Sequence, residues 1–154
     1  MAMQTYVFFT KDSAPTIEEL KDAIKENGFE FELPAEFKLD CSEPTFFKCN
    51  FETLESGFDY FLGLYNSDDF DWEPEDLTKL KEPEIVAAFN TYSNAQEIAG
   101  MLTVSSVLTK ITNGAMYSDF FDDELWTSKD CIEISKEIIE NSRDQFSGPS
   151  KMRS

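Results

Sequence analysis

The chain contains no histidine, and this absence removes several kinds of catalytic site. Without an imidazole there is no Ser-His-Asp triad, no histidine-activated cysteine and no zinc site with histidine ligands. Cysteine is scarce as well, because only Cys41, Cys49 and Cys131 occur and none of them forms a Cys-x-x-Cys pair. Three isolated cysteines are typical of a reducing compartment, in which thiols serve as small buried apolar groups.

Basic residues and long apolar runs are also in short supply. Thirteen Lys and Arg side chains stand against thirty-one Asp and Glu side chains, which gives a formal net charge of −18. A nucleic-acid binder needs cations to neutralise phosphates, so this charge argues against that class. No run is apolar enough to span a membrane, and residues 1–15 lack the basic and apolar regions of a signal peptide. We therefore expect a cytoplasmic protein with no membrane or nucleic-acid partner.

The chain does contain enough apolar material for a folded core. Its 154 residues are 41 % hydrophobic and include fifteen phenylalanines, and a chain of this length buries roughly 70 % of its unfolded surface. We expect a single domain over residues 1–143. The polar residues 144–154 have little to pack against, and we expect this tail to fray.

Alternating apolar and polar residues, together with continuous runs of aromatic and β-branched residues, predict a series of strands separated by turns. The predicted strands cover residues 4–10, 29–33, 37–41, 47–52, 57–65, 84–92 and 115–118. Phenylalanines are adjacent at Phe8-Phe9 and at Phe46-Phe47, and only one member of each pair can face a helical layer. The other member must meet solvent, a second layer or a partner, which favours an interface on the far face of the sheet.

The first predicted helix covers residues 17–27. Thr16 and Glu19 have the spacing of a capping box at its start. Apolar residues then recur at helical intervals until Asn27-Gly28, a pair that suits a left-handed helix end.

Two further helices are predicted in the second half of the chain. Asn94 precedes a long, largely apolar segment that ends at Asn113-Gly114, and we expect this helix to be the central buried one. Ser128 is the predicted cap of the last helix. Strands and helices together predict an α+β fold, in which about three helices pack on one face of a mainly antiparallel sheet in a single pair of layers.

The strongest local signal is the acidic segment 66–76, which we interpret as a loop. It places six carboxylates around Phe70 and Trp72 without any basic residue: Asp68, Asp69, Asp71, Glu73, Glu75 and Asp76. Calcium is one candidate ligand, but Pro74 stands where an EF-hand loop needs glycine. A merely solvated loop is a second alternative. A docking surface is the third, because aromatic anchors beside charges are typical of interaction hot spots.

A second segment repeats this composition near the end of the chain. It carries four acids and three aromatic residues: Asp119, Asp122, Asp123, Glu124, Phe120, Phe121 and Trp126. The recurrence predicts a partner-binding surface that attracts a basic protein. The predicted partner-binding residues are Asp68, Asp69, Phe70, Asp71, Trp72, Glu73, Asp122, Asp123 and Trp126.

Enzymatic interpretations find little support in the residues. A pair of carboxylates could hydrolyse a glycoside, but among thirty-one acids some pair always lies close in sequence. Cys41 and Cys49 have no histidine to activate them, and their alternating strands predict thiols that face the core. Asn113-Gly114 follows a helix instead of preceding one, so it is not a phosphate loop. We expect no catalytic residue, no metal site and no cofactor.

The segment from Asn94 to Trp126 contains a helix that ends in Thr112-Asn113-Gly114 and leads into a short strand ending at Asp119. This arrangement is similar to a segment of the immunity proteins of bacterial polymorphic-toxin systems, namely contact-dependent inhibition and type VI secretion. Those proteins are also small, acidic and without catalytic motifs.

The resemblance implies a role as an inhibitor. Such a protein binds one cognate toxin, commonly a basic nuclease, and blocks its active site, so that the acids stand in for nucleic-acid phosphates. Two alternatives remain open at this point. One is a structural or adaptor module that forms a homodimer through an open sheet face, and the other is a protein that binds a metal or a small ligand.

Overall fold

Seven strands and four α-helices make up the computed structural model, which describes residues 2–92, 94–118 and 124–146. The strands are β1 (Ala2–Phe9), β2 (Phe31–Glu32), β3 (Thr45–Phe51), β4 (Leu54–Leu64), β5 (Ile85–Tyr92), β6 (Ala115–Ser118) and β7 (Leu125–Thr127). The helices are α1 (Ile17–Glu26), α2 (Pro74–Leu80), α3 (Ala95–Thr112) and α4 (Cys131–Asn141). The strands form one sheet in the order β2-β3-β4-β5-β1-β6-β7, and every pairing is antiparallel. The prediction of an α+β fold with a mainly antiparallel sheet is confirmed.

The helices are divided unequally between the two faces of the sheet. α3 packs across β1, β3, β4 and β5 and also contacts α1 and α4. The core between these helices and the sheet includes Phe9, Phe58 and Leu102. On the opposite face, Leu80 of α2 joins a separate apolar cluster around Phe8. The prediction of three helices in a single pair of layers therefore needs one correction, because a fourth helix covers part of the other face.

Local sequence signals account for α1. The N–H of Glu19 donates to Thr16 Oγ1 at 3.1 Å, and the N–H of Thr16 donates to Glu19 Oε1 at 2.9 Å. The predicted capping box is thus present, and it satisfies amide groups that have no partner inside the helix. The helix ends at Glu26, one residue before the predicted end, and Gly28 follows with a φ of 85°.

The central helix α3 is buried along almost its whole length, as predicted. Asn94 Oδ1 accepts the N–H groups of Gln96 and Glu97 at 3.0 and 3.2 Å and so caps the first turn. The hydroxyls of Thr103 and Thr109 each donate to the carbonyl four residues earlier at 2.8 Å, which allows these side chains to be buried without losing their hydrogen bonds. Within the described ranges, no helix combines the length and apolarity needed to cross a membrane.

Two of the predicted strands differ from the structure. Only Phe31–Glu32 of the predicted strand 29–33 is a strand, and residues 37–41 form turns instead of a strand. Phe37 N–H donates to Pro34 O and Cys41 N–H donates to Lys38 O, so these backbone groups are satisfied locally. The alternation of apolar and polar residues in this segment indicates which side chains are buried, but it does not indicate a strand. The side chains of Phe37 and nearby Leu39 still enter the core.

The last helix begins later than its predicted cap. α4 starts at Cys131 after Asp130, and Ser128 Oγ instead donates to Asn113 Oδ1 at 2.7 Å. Ser128 therefore ties α4 to the end of α3 and does not cap a helix. The short strand β7, which was not predicted, occupies the segment just before this contact.

The first part of the predicted tail is attached to the fold. Arg143, two residues beyond α4, donates from both terminal nitrogens to the Glu52 carboxylate at 2.9 and 2.8 Å. These hydrogen bonds lower the pKa of Glu52. Phe146 packs edge-on against Phe51, with 5.8 Å between ring centroids. Residues 147–154 lie outside the described residues.

The turn that ends α3 brings the chain directly against β1. Asn113 has a φ of 53°, in the left-handed region, and Gly114 follows it. A Cβ on Gly114 would overlap the backbone oxygen of Phe8. Glycine is therefore required where β6 starts to pair with β1.

Replacing Gly114 with alanine should lower the free energy of unfolding by about 1–3 kcal/mol, because the methyl group would overlap a backbone atom that cannot rotate away. Gly63→Ala is the matched control, since its Cβ would meet only the Phe61 ring at an ordinary 3.8 Å, and we expect a change within about 0.5 kcal/mol. Urea denaturation measures both. Equal losses for the two variants would contradict the close approach at Gly114.

Candidate interaction surface

The two adjacent phenylalanine pairs are split between the faces of the sheet, as predicted. Phe9 and Phe47 enter the core on the helical side. Phe46 points the other way and is 36 % exposed, with its ring lying over Gly57. Phe8 also points away from α1, α3 and α4, yet it is fully buried. A second layer must therefore cover Phe8.

That layer is a group of aromatic side chains, which we call the outer aromatic cluster. It consists of Tyr6, Phe8, Tyr65, Phe70, Trp72 and Tyr117. The rings of Phe70 and Trp72 both meet the Phe8 ring edge-on, with centroid distances of 5.1 and 5.4 Å. Edge-on contacts are the favourable geometry for aromatic pairs. Phe70 and Trp72 of the acidic segment thus pack on the sheet and anchor the segment there.

Hydrogen bonds hold the acidic segment in place between these anchors. Asn66 Oδ1 accepts the N–H of Asp68 at 3.0 Å and starts a short 3₁₀ turn over Ser67–Asp69. Trp72 Nε1–H donates to the hydroxyl of Tyr65 at 2.8 Å. The Trp72 ring also stacks on Phe70 at 5.0 Å. The segment is therefore a packed loop with charged residues between its anchors.

The end of this segment is a helix that was not predicted. α2 begins at Pro74, where the missing N–H of proline costs nothing. Asp76 Oδ2 accepts the N–H of Glu73 at 3.0 Å, so both acids serve the start of the helix. Leu80 is buried under it, whereas Leu77 is 55 % exposed. The predicted loop 66–76 is corrected in its last three residues, which belong to α2.

A pocket opens between the loop, α2 and β6, and we call it the cation pocket. It has a volume of about 450 Å³, and its lining consists of four carboxylic acids and three aromatic residues: Asp69, Asp71, Glu73, Asp76, Phe70, Trp72 and Tyr117. Carboxylates and aromatic rings in one lining suit a positively charged side chain. Arginine and lysine bind carboxylates through charge-assisted hydrogen bonds and are also attracted to aromatic faces.

The predicted site residues are only partly brought together. Asp69, Phe70, Asp71, Trp72 and Glu73 line the cation pocket. Asp68 lies in the same loop but is exposed outside the lining.

The second predicted cluster does not join this pocket in the described part of the chain. Trp126 pairs with Met116 in the sheet and packs with the core on the helical side. It therefore lies on the opposite face from Trp72. Residues 119–123, which include the predicted Asp122 and Asp123, lie outside the described residues.

Tyr117 and Asp76 line the pocket but are missing from the predicted site. Tyr117 stands opposite Tyr6 in the register of β6 and β1, and so it reaches the outer aromatic cluster. Strand alternation places Tyr117 on the opposite face from Met116. This alternation was the one sequence signal that could have pointed to Tyr117 as a pocket residue. Without the pairing of β6 with β1, the sequence could not say which face carries the pocket.

Metal and nucleophilic chemistry have little basis among the described residues. No group of three or more Asp, Glu or Cys side chains there could hold a metal ion. Burial raises the pKa of the Cys49 thiol well above its usual range and raises that of Cys131 to about 11. Both thiols are consequently protonated at neutral pH and are weak nucleophiles. The Cys41 sulfur lies 3.1 Å from the carbonyl oxygen of Glu43 in a half-buried turn.

Comparison of the chain with protein-family models, with curated proteins and with solved structures gave no match.

Replacing Phe70 with alanine should lower the free energy of unfolding by about 2–4 kcal/mol, since it removes a ring that contacts Phe8, Tyr6 and Trp72. Leu77→Ala in the adjacent helix, where the side chain is mostly exposed, should change it by less than about 0.5 kcal/mol. Tryptophan fluorescence during urea unfolding measures both variants. If Phe70→Ala proved as stable as Leu77→Ala, the loop would not be anchored as described.

Proposed function

We propose that this protein is a non-enzymatic inhibitor of the immunity-protein type, which binds a basic protein and blocks its active site. The observation that carries the proposal is the cation pocket, whose lining combines four carboxylic acids with three aromatic rings. The resemblance of residues 94–126 to bacterial immunity proteins supplies the class of partner, a nuclease-like toxin. In this proposal the complex forms in the cytoplasm, where such a toxin would meet nucleic acid.

The pocket accepts an arginine or lysine side chain of the toxin. Its carboxylates take the place of the phosphates that this cation would otherwise contact. Trp72 and Tyr117 supply ring faces to the cation, and their rings meet edge-on at a centroid distance of 6.1 Å. Burying a basic residue of the toxin in this way removes it from substrate binding. Because the loop is anchored before binding, little conformational entropy is lost in forming the contact.

Long-range attraction brings the partner to the pocket. The net charge of −18 draws a basic protein toward the surface at a rate that falls as salt screens the charges. Asp68 and Glu75 are exposed beside the pocket and add to the local potential. The charges thus provide speed, while the aromatic walls of the pocket provide a surface that can exclude water.

The alternative of a homodimer through an open sheet face is less well supported. The acidic loop and α2 already cover part of that face, with Leu80 and Phe70 packed around Phe8. A second copy also carries a net charge of −18, so the two copies would repel each other. The inhibitor proposal uses these same charges as an attractive force.

Neutralising two pocket acids should weaken the complex without affecting the fold. For the test, the immobilised protein captures its partner from lysate of the source cells, and the association rate of the purified partner is then measured. We expect Asp69→Asn with Asp71→Asn to slow association roughly tenfold at low salt, because both acids face the bound cation.

The matched control carries the same change of charge elsewhere. Asp22→Asn with Glu137→Gln alters two exposed acids of α1 and α4, and it should slow association by less than about twofold. A basic partner whose binding depends on the pocket pair and weakens with salt supports the proposal. A neutral or acidic partner, or equal effects of the two double variants, would refute it.

A further inference from the structure

A second concave region, which we call the β2 groove, lies between α1 and β2 at the opposite edge of the sheet from the cation pocket. It has a volume of about 570 Å³ and is lined by residues 28–33 and part of α1. Ile24, Phe29 and Leu33 form an apolar floor whose side chains are also part of the core. The groove therefore offers an apolar surface beside an edge strand.

The backbone of β2 is available for pairing on its outer side. The carbonyl of Glu30 accepts the N–H of Glu52 at 2.7 Å, in the register that places Phe31 opposite Phe51. Residues of an antiparallel ladder alternate in the direction of their backbone groups. Phe31 consequently directs its N–H and C=O away from β3, toward the outer edge. Another extended chain can pair with such an edge.

Several of the few cations of the chain are gathered near this groove. Lys21 and Lys25 stand one helical turn apart on its wall, and none of the three ion pairs among the described residues uses either of them. Lys110 and Lys136 donate to the side chain and the carbonyl of Asn27 at 2.8 and 2.6 Å, just beyond the end of α1. Four of the thirteen basic residues thus lie around the second half of α1 and the turn that follows it.

We propose that the β2 groove binds an extended peptide segment of a partner protein, which adds to the sheet beside β2 and turns acidic side chains toward Lys21 and Lys25. Apolar residues of the same face pack against Phe29 and Leu33. Residues of the other face are neutral or basic, because Glu30 and Glu32 border that side of the strand. This site is separate from the cation pocket and does not depend on its proposed function.

The charges favour such a segment over a second copy of this chain. Pairing β2 with another β2 would place the Glu30 and Glu32 side chains of both copies close together, and like charges on facing strands are destabilising. Neither copy would bring an acidic residue to Lys21 and Lys25 on the helix side, since the side chains that face this side in and around β2 are those of Phe29, Phe31 and Leu33.

A designed peptide tests the proposal with the full chain. The probe has nine residues, with threonine at odd positions and valine, glutamate, valine and glutamate at the even positions, and it carries a fluorescent label. We expect saturable binding by fluorescence anisotropy at physiological ionic strength, where salt screens the repulsion between the acidic peptide and the net negative charge of the chain, together with slower hydrogen exchange of the Phe31 amide. The same peptide with glutamine in place of glutamate should bind about threefold to tenfold more weakly, because it loses the attraction to the two lysines without gaining any attraction to the acidic surface.

Charge variants of the protein locate the contact. Lys21→Gln with Lys25→Gln should weaken binding about threefold to tenfold, the effect of two exposed ion pairs. Lys38→Gln with Lys129→Gln makes the same change at exposed sites outside the groove and should leave binding unchanged. Asp69→Asn with Asp71→Asn should also bind normally, which separates this site from the cation pocket. Absence of binding, equal losses in the two lysine variants, or binding without protection of Phe31 would overturn the proposal.

Discussion

Successive side chains of a strand point to opposite faces of a sheet, and this constraint determines where the acidic surface of the protein lies. Phe9 fills the helical core, so Phe8 must face the other way and needs its own cover. Phe70 and Trp72 supply that cover, and the aspartates between and around them are thereby held at the rim of a pocket. One alternation in β1 thus connects the packing of the core with the geometry of the charged loop.

The parts of the fold that depend on interactions between residues close together in the sequence could be predicted. The capping box of α1 and the buried length of α3 follow from residues a few positions apart. Alternation was less reliable, because it reports which side chains are buried and not where the backbone hydrogen bonds go: Phe37 enters the core from a turn. Strand order could not be predicted, since the partners of β1 are β5 and β6, far away in the chain. α2 was missed because it spans only seven residues, of which Leu80 alone is buried.

The candidate site was predictable in composition but not in arrangement. Acids beside Phe70 and Trp72 indicated a charged surface with aromatic anchors, and the structure places these two rings against each other. In sequence, Trp126 resembles Trp72, because acids precede both residues. In the structure, the register of β7 places the Trp126 side chain on the face of the sheet that carries α3. Tyr117 was overlooked for the same reason, since only its pairing opposite Tyr6 brings it to the pocket.

In the proposed complex, the basic partner covers the loop around Trp72. The acids of this loop lie near the β7 edge of the sheet, while Lys21 and Lys25 lie near the β2 edge, so the two proposed sites are at opposite ends of the sheet. Hydrogen exchange can be measured by mass spectrometry with and without the captured basic partner. We expect the amides over residues 66–76 to exchange more slowly in the complex. Unchanged exchange in this segment, with protection confined to other parts of the chain, would contradict the proposed complex.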